Sequence, residues 1–370
     1  MRIGILTFHR AYNCGAMLQA WALKIVLERM GHEVAFPNCN SVGELRRWER
    51  PWVSGARRNV RGLIDIIRSF RYNLMSIPNE DVSRFRYARF RRNNIPEVEV
   101  SPNDFFSRFD LLIYGSDQIW HPDVSKPNAD LFLGAGAENC QKISYAASYG
   151  DSPLADNVLE KVCAGLCSFH AISVREKIAK DQLSEYISRE VVETLDPTLL
   201  IEAEEFENIA RGSSPKEPYL FMYTLYARPF FVDTAKELAK RLCVKCVIAP
   251  CYQYSRWGAP KGLTYAISPD RLVQYARNAK YVLAGSFHGT VMGVMFRKPF
   301  LSLRGQVDQY ESRPAALLRK IGCLNRLVNP TTSLDEMEHL LRDPLPDYSA
   351  ALDKERTASL TWLKAEIGKV

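Results

Sequence analysis

The sequence lacks any apolar run long enough to span a membrane. Its opening stretch, Ile3-Gly4-Ile5-Leu6, meets polar Thr7 too soon for a signal h-region and reads instead as a first buried strand. A paired cysteine framework is also missing: the nine cysteines are odd in number and scattered over 370 residues, which points to a reducing, cytoplasmic setting. Cys243 and Cys246 form a C-x-x-C within an expected strand, Leu242 to Ile248. They have neither a second such pair nor a nearby histidine, so no zinc set is complete and their reading is structural. No G-x-G-x-x-G follows the first strand, so a dinucleotide is not indicated. Short-period repeats and low-complexity tracts are absent, which excludes solenoids and biased tails.

What is present is ordinary for a soluble globular enzyme: 46% apolar and 25% charged residues in a chain long enough for two cores. Strand and helix patterns alternate. Ile3 to Phe8 reads as a strand, Gly15 to Met30 as a helix and Glu33 to Phe36 as a second strand, a βαβ opening that builds parallel sheets. A second alternating series begins near Pro218, after the linker-like Arg211-Gly212-Ser213-Ser214-Pro215. The expected fold is α/β, with two Rossmann-like domains facing a cleft (GT-B-like). The N-terminal domain, residues 1–205, would lie on the acceptor side and the C-terminal domain, 206–345, on the donor side. A terminal helix, 346–370, would pack back on the N-terminal domain.

Charge is uneven. Residues 44–92 hold 13 arginines against five acidic residues, a surplus of eight where the whole chain carries +7. Aromatic and aliphatic residues, among them Trp48, Trp52, Phe70 and Phe85, interleave with the arginines. The segment is therefore expected to be a basic insertion suited to an anionic, greasy surface such as the inner face of a membrane, or a solvated insertion paired with acidic patches elsewhere.

Ligands of open α/β sheets bind at the carboxyl ends of strands, so the loops that follow strands carry the site. After the first strand come Asn13 and Gly15, placed to aim backbone N–H groups at an anion, or to cap an ordinary βα turn. After Leu111–Tyr114 come Ser116, Asp117, Gln118 and Trp120, a polar set that suits a sugar: Asp117 accepting a hydroxyl proton and Trp120 stacking on the ring. Asp117 could equally cap its turn. After Tyr281–Ala284, Gly285 and Gly289 bracket His288 where a helix is expected from Thr290, so an acid–base group stands beside helix N–H donors. Arg175, Arg304 and Arg313 are the arginines nearest such strand ends. They are candidates for a carboxylate or phosphate, with surface ion pairs as the plainer reading.

In order, Tyr12-Asn13-Cys14-Gly15-Ala16-Met17-Leu18-Gln19, Gly115-Ser116-Asp117-Gln118-Ile119-Trp120, Ser173-Val174-Arg175-Glu176, Asp196-Pro197-Thr198-Leu199-Leu200 and Ser286-Phe287-His288-Gly289-Thr290 resemble the motifs of the polysaccharide pyruvyl transferase family, from Met1 to about Leu327. The resemblance implies transfer of pyruvate from phosphoenolpyruvate, a co-substrate, onto two sugar hydroxyls as a ketal, with no metal and no bound cofactor. For that chemistry the loop residues named above suggest His288 and Asp117 as the catalytic groups. Arg175, Asn13, Gly15, Ser286, Gly289, Thr290, Arg304 and Arg313 would bind the donor, and Ser116, Gln118 and Trp120 the acceptor. The acceptor would be a polysaccharide or a lipid-linked precursor of the cell envelope, met through peripheral membrane contact by 44–92; nucleic acid is not expected. An Arg-Leu-His run associated with the donor in the family reads Ser286-Phe287-His288 here, so Arg304 or Arg313 would have to compensate. Two other classes stay open: a glycosyltransferase using a nucleotide-sugar on the same fold, and a non-catalytic polyanion- or membrane-binding protein.

Overall fold

The computed structural model describes residues 1–38, 82–101, 104–125, 128–251, 263–264, 267–304 and 310–370. Most of the basic insertion, 44–81, therefore lies outside the described residues. Its last part is helical over 82–94 and packs inward through Tyr87 and Phe90 while Phe85 is exposed.

Among the described residues twelve strands form two parallel sheets. The first contains β1 (Arg2–Leu6), β2 (Glu33–Asn38), β3 (Glu97–Glu99), β4 (Leu111–Tyr114), β5 (Gln141–Ala147), β6 (Ala171–Val174) and β7 (Val191–Glu193), in the order β3-β2-β1-β4-β5-β6-β7. The second contains β8 (Tyr219–Thr224), β9 (Lys245–Pro250), β10 (Tyr281–Gly285), β11 (Phe300–Leu303) and β12 (Leu327–Val328), in the order β12-β11-β10-β8-β9. Strands such as β4 (Leu-Leu-Ile-Tyr) and β8 (Tyr-Leu-Phe-Met-Tyr-Thr) are buried at every position, the continuous pattern of a sheet covered on both faces. In each sheet the strand order reverses beside its first strand, between β1 and β4 and between β8 and β10. Such a reversal opens a crevice at the carboxyl ends.

Between the lobes lies helix Cys14–Arg29. Twelve of its 16 residues are buried, so it is a wedge rather than an amphipathic surface helix. One continuous apolar core runs from Ile3, Ile5 and Leu18 through Trp21 and Phe206 to Phe221, Val282 and Phe300, joining both sheets. The last helix, Ser349–Ile367, returns to the first lobe: Ser359 Oγ accepts from Leu195 N at 3.0 Å, and Arg356 Nε donates to Leu199 O at 2.9 Å. In the expected strand Leu242–Ile248, pairing begins only at Lys245. Cys243 sits exposed in the preceding turn at φ 52, so the C-x-x-C straddles a turn and a strand end.

Candidate active site

The loops at the two crevices converge. Asp196, just past β7, is fully buried and gathers donors from several segments. Arg175 Nη1 donates to its Oδ2 at 2.8 Å and Ser116 Oγ at 3.2 Å, while Thr198 N and Oγ1 reach Oδ1 at 3.0 and 2.6 Å. From the second lobe His288 Nε2 lies 3.6 Å from the same Oδ2, beyond hydrogen-bond range. Burial pushes the Asp196 carboxyl up, but His288, Arg175 and Thr198 together outweigh it and hold it well below the usual carboxylate range.

Arg175 is the cationic centre. Besides Asp196 it meets Glu176 Oε1 through Nε at 3.0 Å and faces Asp117 Oδ1 through Nη2 at 3.8 Å, and its guanidinium stacks 5.0 Å from the Phe287 ring centroid. Burial lowers the arginine's pKa, yet Glu176, Asp196 and Asp117 hold it above its ordinary value, so it stays charged. The Glu176 carboxyl is pushed up by burial against the opposing pull of Arg175 and Arg313. At this site the buried donor-capable atoms Arg175 Nη2 and His288 Nε2 have no hydrogen-bond partner among the described residues. Buried nitrogens of this kind are costly without a ligand or water.

His288 owes its place to local chemistry. Ser286 is the N-cap of helix Phe287–Met295, its Oγ accepting from Gly289 N at 3.2 Å. The helix thus starts three residues earlier than the expected Thr290, and His288 sits in its first turn. Its ring packs against Gly15: a Cβ there would fall within 2.8 Å of Cε1 and closer still to Nδ1 and Cγ, so only glycine admits the histidine.

The remaining expected residues divide. Asp117 faces Arg175 and is held at φ 75, bridged to Ala147, whose neighbour Ala146 is also left-handed at φ 47. Two such conformations side by side are the kind of strain that collects at functional sites. Its Oδ1 also accepts from Gln118 N at 2.9 Å, and the Gln118 amide packs against Gly150. Arg313 is spent on Asp151 across the cleft, Nε to Oδ1 at 3.0 Å. It also lines, with Arg175, Asp196, Phe287 and Lys320, a cavity of about 20 Å³ between the lobes, room for one water. Arg304 follows β11 at the register level of Ser286, its N–H donating to Val328 O at 2.8 Å.

Four expectations need correction. Trp120 is 3% exposed and its indole N–H donates to Phe132 O at 3.0 Å, so its ring belongs to the core and presents no face for stacking. Ser116 is wholly buried, with its hydroxyl given to Asp196 and its N–H to Gln19; it supports the carboxylate instead of meeting an acceptor. The Gly15 N–H is capped by Asn13 Oδ1 at 2.9 Å, and the Gly289 and Thr290 N–H groups are taken by Ser286 Oγ and O. These amides are therefore occupied and not aimed at an anion. Asp196 and Glu176 carry no role in the sequence reading, although both stand in the motifs quoted above; an acidic residue immediately before Pro197, placed to cap a short helix, is the available signal.

Helices, parallel sheets and a site at facing strand ends define a two-lobed α/β protein with GT-B-like architecture. The profile of the polysaccharide pyruvyl transferase family matches residues 13–306, and the chain belongs to that family of transferases. Among solved structures it is similar to the UDP-GlcNAc 2-epimerase of Neisseria meningitidis bound to UDP-GlcNAc (11% identity, 100% of each chain, TM-score 0.51). It is also similar to the corresponding epimerase of Methanocaldococcus jannaschii (9% identity, 97% of this chain and 99% of that one, TM-score 0.47). A third similar structure is the Streptomyces sp. SF2575 glycosyltransferase SsfS6 complexed with thymidine diphosphate (13% identity, 98% and 96%, TM-score 0.42). No match is found among curated proteins. Among the described residues no helix is long and apolar enough to cross a membrane, and no group of three His, Cys, Asp or Glu side chains is placed to hold a metal ion.

Proposed function

We propose that the cleft transfers pyruvate from phosphoenolpyruvate to two hydroxyls of a sugar, in a polysaccharide or its lipid-linked precursor, as a ketal. The observation that carries this reading is the meeting of Arg175 and His288, from opposite lobes, on one carboxylate, each with a nitrogen that lacks a hydrogen-bond partner among the described residues. Arg175 Nη2 receives the donor carboxylate or phosphate. Glu176 holds the Nε side of the guanidinium, which leaves Nη2 for that anion. His288 Nε2 delivers a proton to the enol CH2, making the methyl group and a cationic carbon that the first hydroxyl attacks. Asp117 takes that hydroxyl's proton. The second hydroxyl then replaces phosphate, which leaves carrying that hydroxyl's proton, and the proton taken by Asp117 restores the one His288 gave up, so one phosphoenolpyruvate and one diol give one ketal and one inorganic phosphate. Asp196 orients Arg175 by a hydrogen bond and faces His288 with its negative charge, without touching substrate.

His288→Ala tests the assignment through phosphate release from phosphoenolpyruvate with acceptor. Loss of a proton donor predicts a fall in kcat of roughly 100-fold or more with little change in donor KM. Unchanged phosphate release removes His288 from the chemistry.

A further inference from the structure

Behind the His288 turn, two thiols cross the boundary between the lobes in opposite directions. Cys14, the first residue of the wedge helix, lies 3.9 Å through Sγ from the Ile267 carbonyl of the second lobe. Cys251, just past β9, places Sγ 3.6 Å from the Tyr12 carbonyl of the first. Tyr12 stands two residues before Cys14, so the two thiols are neighbours at the boundary, and Tyr87 Oη lies 3.0 Å from Cys14 Sγ. Cys14 is wholly buried, whereas Cys251 is partly open to solvent.

We propose that Cys14 and Cys251 are an oxidisable pair, a disulfide-forming modification site that ties the two lobes together next to Gly15 and the His288 ring. Their surroundings set the order of events. The neighbouring Cys14 holds the Cys251 thiol below its ordinary pKa against the effect of burial, while burial pushes Cys14 well above. With a peroxide as oxidant, the Cys251 thiolate attacks one peroxide oxygen; the O–O bond breaks, hydroxide leaves and Cys251 becomes a sulfenic acid. Cys14 then attacks that sulfur and the S–O bond breaks; the Cys14 proton joins the departing hydroxide as water. Two thiols lose two electrons in all, and hydrogen peroxide becomes two waters. Bringing the sulfurs to about 2.05 Å links the start of the wedge helix in the first lobe to the end of β9 in the second.

The exposed thiols Cys167 and Cys243 provide an internal comparison, since access alone would favour them. The full chain is treated with one equivalent of hydrogen peroxide, alkylated and digested without reduction. The expected result is a Cys14–Cys251 linked peptide that dithiothreitol reverses, with Cys251 at least roughly tenfold more oxidised than Cys167 or Cys243. Cys14→Ser should leave Cys251 trapped as a sulfenic acid that dimedone labels. If that buried variant fails to fold, Cys251→Ser, in which no link can form and Cys14 should be recovered as free thiol, together with the wild-type map carries the test. Recovery of Cys14 and Cys251 as alkylated thiols while Cys167 and Cys243 are oxidised overturns the proposal.

Discussion

Gly15→Ala sets two effects of opposite sign against each other. Gly15 is the second residue of a 16-residue helix, where alanine is normally the better helix former by about 0.5–1 kcal/mol. The new methyl, however, would enter the space of the His288 ring, within 2.8 Å of Cε1. Reaching ordinary carbon contact requires the ring to move by roughly 1 Å or more. Both sides of that contact are buried, and the ring is backed by Phe287 at a centroid distance of 5.1 Å, so overpacking should cost about 1–3 kcal/mol and outweigh the helix gain. A 1 Å displacement of an acid–base group costs on the order of 100-fold in rate. The variant should therefore unfold at lower denaturant and release phosphate about two orders of magnitude more slowly, with donor KM less affected. A variant that is more stable and fully active would refute the close packing of His288 on this helix.

Other substitutions separate support from chemistry. Trp120→Phe removes the indole bond to Phe132 O and should cost about 1 kcal/mol in denaturant unfolding while acceptor KM stays constant; a large rise in acceptor KM would restore the stacking role. Asp196→Asn leaves Arg175 short of a buried partner and should destabilise by about 3–5 kcal/mol. Because its pKa is depressed in the fold, that contribution is present above the ordinary Asp range and fades as pH falls through the lowered value, which an acid unfolding series of both proteins would show. Glu176 has the opposite sign. Its raised pKa means the folded state holds a proton that the unfolded chain releases, so wild-type stability falls as pH rises through the folded value. Glu176→Gln should flatten that slope in thermal scans.

The alternating pattern made the two lobes legible, because covered parallel strands read as continuous apolar runs and the helices between them keep their spacing. The loops after β1, β4 and β10 were legible for the same reason: topology places chemistry at carboxyl ends. What could not be read was which side chains those loops turn inward. Trp120 and Ser116 sit in a loop whose composition suits a sugar, yet packing draws both into the protein. The convergence on Asp196 joins residues 80 apart, Ser116 and Asp196, with others from β6 and the second lobe, a tertiary fact that local spacing does not encode. The Gly15–His288 contact is of the same kind, since each residue already had a sufficient local explanation as a cap or turn residue.

The most direct measurement is thermal unfolding of the wild-type protein titrated with phosphoenolpyruvate, and separately with a nucleotide-sugar such as UDP-GlcNAc. A ligand that binds only the folded state adds about 2.7 kcal/mol at 100 times its Kd. Saturable stabilisation by phosphoenolpyruvate, none by UDP-GlcNAc, and loss of the effect in Arg175→Lys is the predicted result. Stabilisation by the nucleotide-sugar with none by phosphoenolpyruvate would contradict it.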